Sequence, residues 1–169
     1  MRASMRATMR ASLICLVCVP LLMVAGCQTE MGMSGSRAAA NVVKGKGMDV
    51  SIRLPGRNWK IGDLMPVEVA AVNTTGSPID IASPTGAPVL VRIMRPSKMS
   101  FEQVRVYPTA ATSNILNWTL PAGGGRTFKL MVPVEPDWPV AELLYVSAEL
   151  NGYPQYSPSV AITVEPGGK

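Results

Sequence analysis

The side chains that most often carry catalytic chemistry are sparse in this sequence of 169 residues. It contains no histidine, which excludes Ser-His-Asp and Cys-His catalysis, most zinc sites and a proton switch near neutral pH. Among the scattered carboxylates, only Glu135 and Asp137 are spaced closely enough to suggest a carboxylate mechanism. No glycine-rich loop lies between a predicted strand and a helix, where a phosphate would bind. We therefore predict that the protein is not an enzyme and holds neither a cofactor nor a metal.

Two sulfur patterns are similar to metal or redox motifs. Cys15 and Cys18 form a CxxC motif, but both lie inside an apolar run at residues 13–24. Met31 and Met33 offer soft ligands for Cu(I). Two thioethers without a histidine or a thiolate are poor ligands, however. We assign no metal to either pair.

The amino-terminal segment carries the most specific signal in the chain. Three arginines, Arg2, Arg6 and Arg10, precede the apolar run at residues 13–24. Twelve apolar residues are too few to cross the ~30 Å hydrocarbon core of a bilayer as a helix, but they match the core of a secretory signal. The run ends in Val24-Ala-Gly-Cys27, which resembles the lipobox of bacterial lipoproteins.

The lipobox resemblance implies that Cys27 becomes the acylated amino terminus, so that lipid anchors the protein to a membrane of the cell envelope. Cleavage before Cys27 removes residues 1–26 and leaves 169 − 26 = 143 residues with one cysteine, hence no internal disulfide. Gln28, rather than Asp, follows the cysteine. In lipoproteins of two-membrane bacteria this favours the outer membrane, facing the periplasm. A tetrapeptide repeat leaves the translation start open among Met1, Met5 and Met9.

Charge and size indicate a single globular domain. The full chain has a net charge of +5, but three arginines lie in the predicted signal, so the mature chain has 13 − 11 = +2. A nearly balanced chain of this size can bury a core as one domain. Nothing in this charge favours nucleic acid as a partner.

Hydrophobic periodicity predicts an all-β domain at residues 48–166. Residues 27–47 are interpreted as the lipidated cysteine and a flexible tether, and residues 167–169 as a tail. Between them, nine short segments alternate apolar and polar residues and are bounded by Pro, Gly, Asn or Ser, which predicts an antiparallel sandwich or barrel. The expected core comprises Val50, Ile52, Val67, Val69, Ile79, Val91, Trp118, Leu130, Val146, Ala148 and Ile162.

Several turn motifs resemble those of immunoglobulin-like sandwich domains in bacterial envelope proteins. They are Gly62-Asp63, Val72-Asn73-Thr74-Thr75, and Leu120-Pro-Ala-Gly-Gly124 before Thr127-Phe-Lys-Leu130. Within that group the pattern is similar to the domain of the intracellular proteinase inhibitor of Bacillus, although the glycine expected just before Tyr145 is absent. The resemblance implies an antiparallel immunoglobulin-like β-sandwich of about seven to nine strands and, as an activity, inhibition of a proteinase.

The segment at residues 133–139, Pro-Val-Glu-Pro-Asp-Trp-Pro, is the candidate partner-binding loop. Its three prolines stiffen the backbone, and a tryptophan on a rigid loop is a common anchor of binding surfaces. We therefore expect a partner to contact Trp138, with Asp137 as its polar neighbour. The alternative is that Trp138 folds back over the end of the sandwich as a lid.

A basic cluster precedes this loop in the chain. Four cations stand against one acid, Glu102, within fourteen residues; they are Arg92, Arg95, Lys98 and Arg105. If the two flanking strands form a hairpin, these charges gather near one end of the sheet, where anionic lipid headgroups or an acidic partner could bind. The alternative is a solvated edge kept from aggregating by its charge. We expect Arg92, Arg95 and Lys98 to assist the loop at 133–139 if they lie near it.

These features together predict a lipid-anchored envelope protein whose β-sandwich binds or scaffolds a partner without catalysis. The expected partners are the membrane and an unidentified envelope protein. The alternative, based on the family resemblance, is a proteinase inhibitor acting through residues 133–139.

Overall fold

Residues 38–109 and 112–168 are described by a computed structural model, and the fold they form is all-β, as predicted. In this part of the chain, no helix has the length and apolar character needed to cross a bilayer. The strands are β1 (Ala39–Lys44), β2 (Met48–Leu54), β3 (Asn58–Lys60), β4 (Leu64–Asn73), β5 (Ile79–Ser83), β6 (Val89–Pro96), β7 (Phe101–Tyr107), β8 (Leu116–Leu120), β9 (Gly125–Pro133), β10 (Leu143–Leu150) and β11 (Ser159–Glu165).

The strands form two larger sheets and a two-stranded ribbon. The first sheet has the order β1-β2-β4-β9, the second has the order β3-β11-β10-β6-β7, and β5 pairs with β8. Seven of the eight strand pairs in the described residues are antiparallel. The exception is β3, which runs parallel to β11. After β2 the chain crosses to the second sheet without reversing its direction, so β3 runs the same way as β11. The chain then returns to the first sheet at β4.

The inward faces of the strands meet in one apolar core. Every second residue of β2 is buried, and β10 follows the same alternation in its first half, which is the pattern of a sheet with one face inside. Full burial of one large aliphatic side chain contributes about 1.5–3 kcal/mol. Of the predicted core, Ile79 and Leu130 are only partly buried, whereas nine residues are buried: Val50, Ile52, Val67, Val69, Val91, Trp118, Val146, Ala148 and Ile162.

One end of the sandwich contains the point at which the described chain enters the fold. Ala39 begins β1 there and pairs with Leu54. Backbone hydrogen bonds extend the pairing of β4 with β9 beyond the strands at this end, since Gly62 N donates to Val134 O and Val134 N donates to Asp63 O, each at 2.9 Å. Gly62 has a φ of 95°, a conformation that favours glycine. We call this end, where β6, β9 and β11 finish and β4, β7 and β10 begin, the proximal end. The opposite end, with turns at residues 74–78 and 121–124, is the distal end.

The first strand corrects the predicted tether. The sequence assigned residues 27–47 to a flexible segment, but Ala39–Lys44 pairs with β2 along its whole length. Because β1 is an edge strand whose residues are mostly exposed, it lacks the apolar alternation that identifies a half-buried strand. The three residues of β3 were also missed, because they are too few to show a period. The described residues therefore form eleven strands instead of the predicted seven to nine.

Other predictions concern residues beyond the described part of the chain. The signal at residues 1–26, the lipidation site Cys27 and the pair Met31 and Met33 lie outside the described residues, as does Lys169. They stay predictions from the sequence.

Candidate functional site

The candidate loop at residues 133–139 connects β9 to β10 at the proximal end. Trp138 in this loop is only 2% exposed. Its backbone N–H donates to Glu135 O at 3.1 Å, and its ring centre lies 6.4 Å from that of Tyr107 on β7. The hypothesis that Trp138 is an exposed anchor is therefore wrong. The lid interpretation describes its position, because burial of the large indole outweighs the stiffness that would hold it in solvent.

Arg105 on β7 is the basic residue that bonds to this loop. Its Nε donates to Glu135 Oε2 at 3.0 Å, and its Nη2 donates to Asp137 Oδ2. One guanidinium thus holds both carboxylates that the sequence singled out for chemistry. All three side chains are partly exposed, so solvent screens these ion pairs and each contributes little to stability. Asp137 is therefore engaged within the protein, and it is not the free polar neighbour that the sequence suggested.

Tyr107, which lies two residues after Arg105 on β7, completes this arrangement. Its hydroxyl donates to Glu135 Oε1 at 2.9 Å. Burial, followed by this bond to an anion, raises the pKa of Tyr107 to about 12. Hydrogen bonds from Arg105 and then Tyr107 lower the pKa of Glu135. An ionised Glu135 beside a neutral Tyr107 is poorly suited to exchange protons near neutral pH, so the four residues act as a structural contact. We call Arg105, Tyr107, Glu135 and Asp137 the Arg105 clasp.

Arg92 and Arg95 both bond to acids on the second sheet. Arg92 donates to Glu149 at 2.9 Å and to Gln103 at 2.7 Å. Arg95 lies closer to the turn and donates to Glu102 at 2.5 Å. The hydrogen bond to Glu102, and then its negative charge, raise the pKa of Arg95. Their charges are balanced locally, so the expectation that they assist the loop at 133–139 receives no support from the geometry.

The hairpin that the sequence placed around the basic cluster is present. Pro96 pairs with Phe101, and Ser97 N donates to Ser100 O at 2.8 Å. Lys98 is exposed at the tip of this hairpin. Of the four cations, Lys98 and Arg95 lie at the tip, whereas Arg105 lies further along β7. The basic residues therefore do not form one patch with the loop.

The proximal end displays large apolar side chains that the sequence analysis did not single out. Met99 at the hairpin tip is 100% exposed, and Phe101 beside it is 57% exposed. Phe101 packs edge-on against Tyr145 of β10, with ring centres 5.3 Å apart. Six of the nine exposed large apolar residues in the described chain lie at or near this end: Leu64, Met99, Phe101, Met131, Val140 and Leu143. The sequence does contain one signal for this surface, because Met99 is an apolar residue in the short turn between two predicted strands.

A groove on the outer face of the first sheet carries charges of both signs. The groove over the outer face of β2, β4 and β9 has a volume of about 460 Å³ and is lined in part by Arg53, Glu68, Lys129 and Met131. Lys129 lies 3.7 Å from Glu68 in this groove. In the residues that the structure describes, no three acidic or cysteine side chains are grouped to hold a metal ion.

Comparisons with known proteins give only distant structural similarity. No protein-family model and no curated protein matches the chain. Among solved structures, the sporulation control protein Spo0M from Bacillus subtilis matches with a TM-score of 0.47 and 12% identity, covering 71% of this chain and 50% of Spo0M. A beta-glucosidase from Listeria innocua in complex with glucose matches with a TM-score of 0.44 and 12% identity, covering 70% of this chain and 16% of the enzyme. A mutant of that enzyme in complex with laminaribiose has a TM-score of 0.45, 15% identity, and coverages of 72% and 16%.

The chain spans about half the length of the Spo0M chain and less than a fifth of the beta-glucosidase chain. With TM-scores of 0.44–0.47, these similarities carry no argument about the fold or the activity of this chain.

Proposed function

We propose that this protein is a lipid-anchored component of the bacterial cell envelope, whose immunoglobulin-like β-sandwich is a non-catalytic binding or scaffolding module. The observation that carries the proposal is the succession of three arginines, twelve apolar residues and Val24-Ala-Gly-Cys27. Basic residues, an apolar core and small residues at the cleavage point each serve a separate step of export. The cysteine then receives lipid. Gln28 after Cys27 favours the outer membrane, facing the periplasm.

The start of the sandwich supports a position close to the membrane. β1 begins at Ala39, so eleven residues, 28–38, separate it from Cys27. However they fold, these residues can span no more than ~40 Å. Lipidation of Cys27 would therefore keep the whole sandwich beside the bilayer. It would act as a membrane-proximal module and could not reach across a wide compartment.

The geometry of the charged residues supports a role without catalysis. Glu135 and Asp137 are the most plausible catalytic pair in the sequence, and both are bound by Arg105. Inhibition of a proteinase through residues 133–139 stays a prediction that rests on the family resemblance. It would need the loop to offer a large exposed side chain, whereas Trp138 in this loop is buried.

Metabolic labelling with an alkyne analogue of palmitate tests the anchor. The wild-type protein should carry the label and fractionate with membranes, whereas Cys27→Ala should be unlabelled. Cys18→Ala is the matched control, because it removes a thiol from the predicted signal and should leave labelling unchanged. An unlabelled, soluble wild-type protein, or a fully labelled Cys27→Ala variant, would rule out the anchor.

Incubation of the purified protein with peptide and glycan libraries tests the non-catalytic assignment. We expect no turnover. Hydrolysis that disappears in Glu135→Gln would overturn the assignment and identify the acid pair as catalytic.

A further inference from the structure

We propose that the proximal end of the sandwich rests on the surface of the lipid bilayer, with the tip of the β6–β7 hairpin, residues 97–101, inserted among the lipid headgroups. This inference deepens the proposed function and depends on the lipid anchor at Cys27. The proposed occupant of the exposed surface at the hairpin tip is the lipid bilayer.

The position of the chain start supports this orientation. β1 begins at Ala39 at the proximal end, and β6 ends and β7 begins at that same end. An anchor attached eleven residues before β1 therefore favours the approach of this end to the membrane, and the side chains at the tip decide which surface is held there. The acyl chains and the hairpin tip would then face the same bilayer. Because a tether holds the tip near the surface, weak insertion is enough to fix the orientation.

The side chains at the tip have the chemistry of an interfacial anchor. Met99 is fully exposed and Phe101 is more than half exposed. Tyr145, which packs against Phe101, has the apolar body and polar tip that favour the headgroup region. Leu143 on the same strand is also exposed. Such an apolar cluster at one end of a β-sandwich is unfavourable in water and favourable in the outer part of a bilayer.

Charge at the hairpin tip is compatible with an anionic bilayer surface. Arg95 is paired with Glu102 and is also influenced by the negative charge of Glu142. With the exposed Lys98, these four residues carry 2 − 2 = 0 and add no net negative charge. A lysine beside inserted apolar residues can extend its ammonium group to lipid phosphates while its stem stays among the acyl chains. The backbone of the turn is also closed by the bond from Ser97 to Ser100, which lowers the cost of bringing it into a poorly hydrated layer.

Two described turns of the distal end lack this combination of features. These turns, at residues 74–78 and 121–124, contain Thr, Ser, Gly, Pro and Ala, without a large apolar residue. A labelled position there provides a matched reference for the proximal tip. Ala122 suits this purpose because it is exposed.

The experiment uses site-directed fluorescence on the full lipidated protein. Cys27 is the one cysteine that remains after the predicted cleavage, and acylation blocks it, so Met99→Cys introduces a single reactive thiol. The thiol is labelled with the polarity-sensitive fluorophore NBD, and the protein is reconstituted into vesicles of phosphatidylethanolamine and phosphatidylglycerol. We expect a blue-shifted emission at position 99 and quenching by brominated lipids at least threefold stronger than for label at Ala122→Cys.

Each other outcome overturns the inference in a recognisable way. If the protein is anchored but its label at position 99 is as solvent-exposed as the label at position 122, the docking is refuted and the anchor is retained. A label that is shielded from water but not quenched by brominated lipid indicates a protein partner at the tip and also refutes lipid as the occupant. A protein that never partitions into vesicles refutes the anchor at Cys27, and the docking with it.

A second variant excludes insertion driven by the fluorophore. Phe101→Ser in the Met99→Cys protein should reduce the quenching at least twofold, because Phe101 is part of the inserted surface. Unchanged quenching would mean that the label alone enters the lipid, and it would overturn the proposal.

Discussion

The two ends of the sandwich are closed by different chemistry. At the distal end, the amide of Asn73 is buried and donates to the backbone carbonyls of Ser77, Leu120 and Pro121 at 2.8–3.2 Å. At the proximal end, the partly exposed ion pairs of Arg105 hold the loop that carries the buried Trp138. The distal end is therefore fixed by neutral hydrogen bonds, and the proximal end by an apolar side chain and solvent-accessible charges.

This difference separates stability from interaction. Neutral buried hydrogen bonds do not depend on pH or salt in the ordinary range, whereas partly exposed ion pairs are weak and screened by salt. The distal turns at residues 74–78 and 121–124 contain no large apolar residue, while the proximal end exposes Met99 and Phe101. The distal end thus contributes mainly to stability, whereas the proximal end presents an exposed apolar surface for interaction.

Replacing Trp138 with Ala should have the largest effect and would decide how the proximal end is closed. Removal of a buried indole should lower the free energy of unfolding by roughly 3–5 kcal/mol. Urea denaturation of the purified protein measures this change. Trp138→Phe is the control, since it keeps most of the apolar volume and removes an indole N–H that is buried without a partner in the described residues. A loss below about 1 kcal/mol for Trp138→Ala would mean that the residue is exposed after all.

Replacing Asn73 with Ala tests the distal end. The change removes a donor from three carbonyls and an acceptor from Thr75 N and Thr75 Oγ1, and unsatisfied buried groups cost about 1–3 kcal/mol each. We expect a loss of roughly 3 kcal/mol in the free energy of unfolding. Asn41→Ala is the matched control because Asn41 is exposed and its amide donates one bond, to Ser159 O. Equal losses in the two variants would contradict the proposed role of Asn73.

Replacing Glu135 with Gln sharpens the comparison through its pH dependence. Because the folded protein lowers the pKa of Glu135, wild type should be more stable than Glu135→Gln above the ordinary carboxyl pKa. This advantage should disappear as pH falls through the lowered pKa. The expected difference at neutral pH is small, about 0–1 kcal/mol. Denaturation of both proteins at several pH values measures it, and a difference that grows in acid would have the wrong sign.

The last prediction for the clasp concerns Tyr107 at alkaline pH. Its pKa is raised to about 12, so the folded state favours the neutral phenol. The resulting stabilisation is complete below the ordinary value of ~10 and is lost as pH rises through about 12. Ultraviolet titration of the folded protein should show an ionisation near pH 12 that is missing in Tyr107→Phe. If the ionisation that Tyr107→Phe removes lies near the ordinary value of ~10 instead, Tyr107 is not part of the clasp.

The sequence predicted nine strands, and it missed the edge strand β1 and the three-residue strand β3. β2 and β4 were found because every second residue is apolar. β1 was assigned to the tether, because an edge strand can be held by backbone hydrogen bonds without an apolar face.

The candidate site was predicted less well than the fold. The sequence located the loop at 133–139 and its acids, but composition does not reveal whether Trp138 points inward. The pairing of Arg105 with Glu135 and Asp137 joins residues about thirty positions apart, and local patterns do not encode such contacts. The exposure of Met99 likewise depends on the hairpin geometry of its neighbours.

Mass spectrometry of the mature protein from its own host tests the central claim most directly, because an anchor at Cys27 is what turns the proximal end towards the membrane. The amino-terminal peptide should begin at Cys27 and carry the mass of a diacylglycerol group on its sulfur. An unmodified peptide that runs from Gly26 into Cys27 would contradict the account.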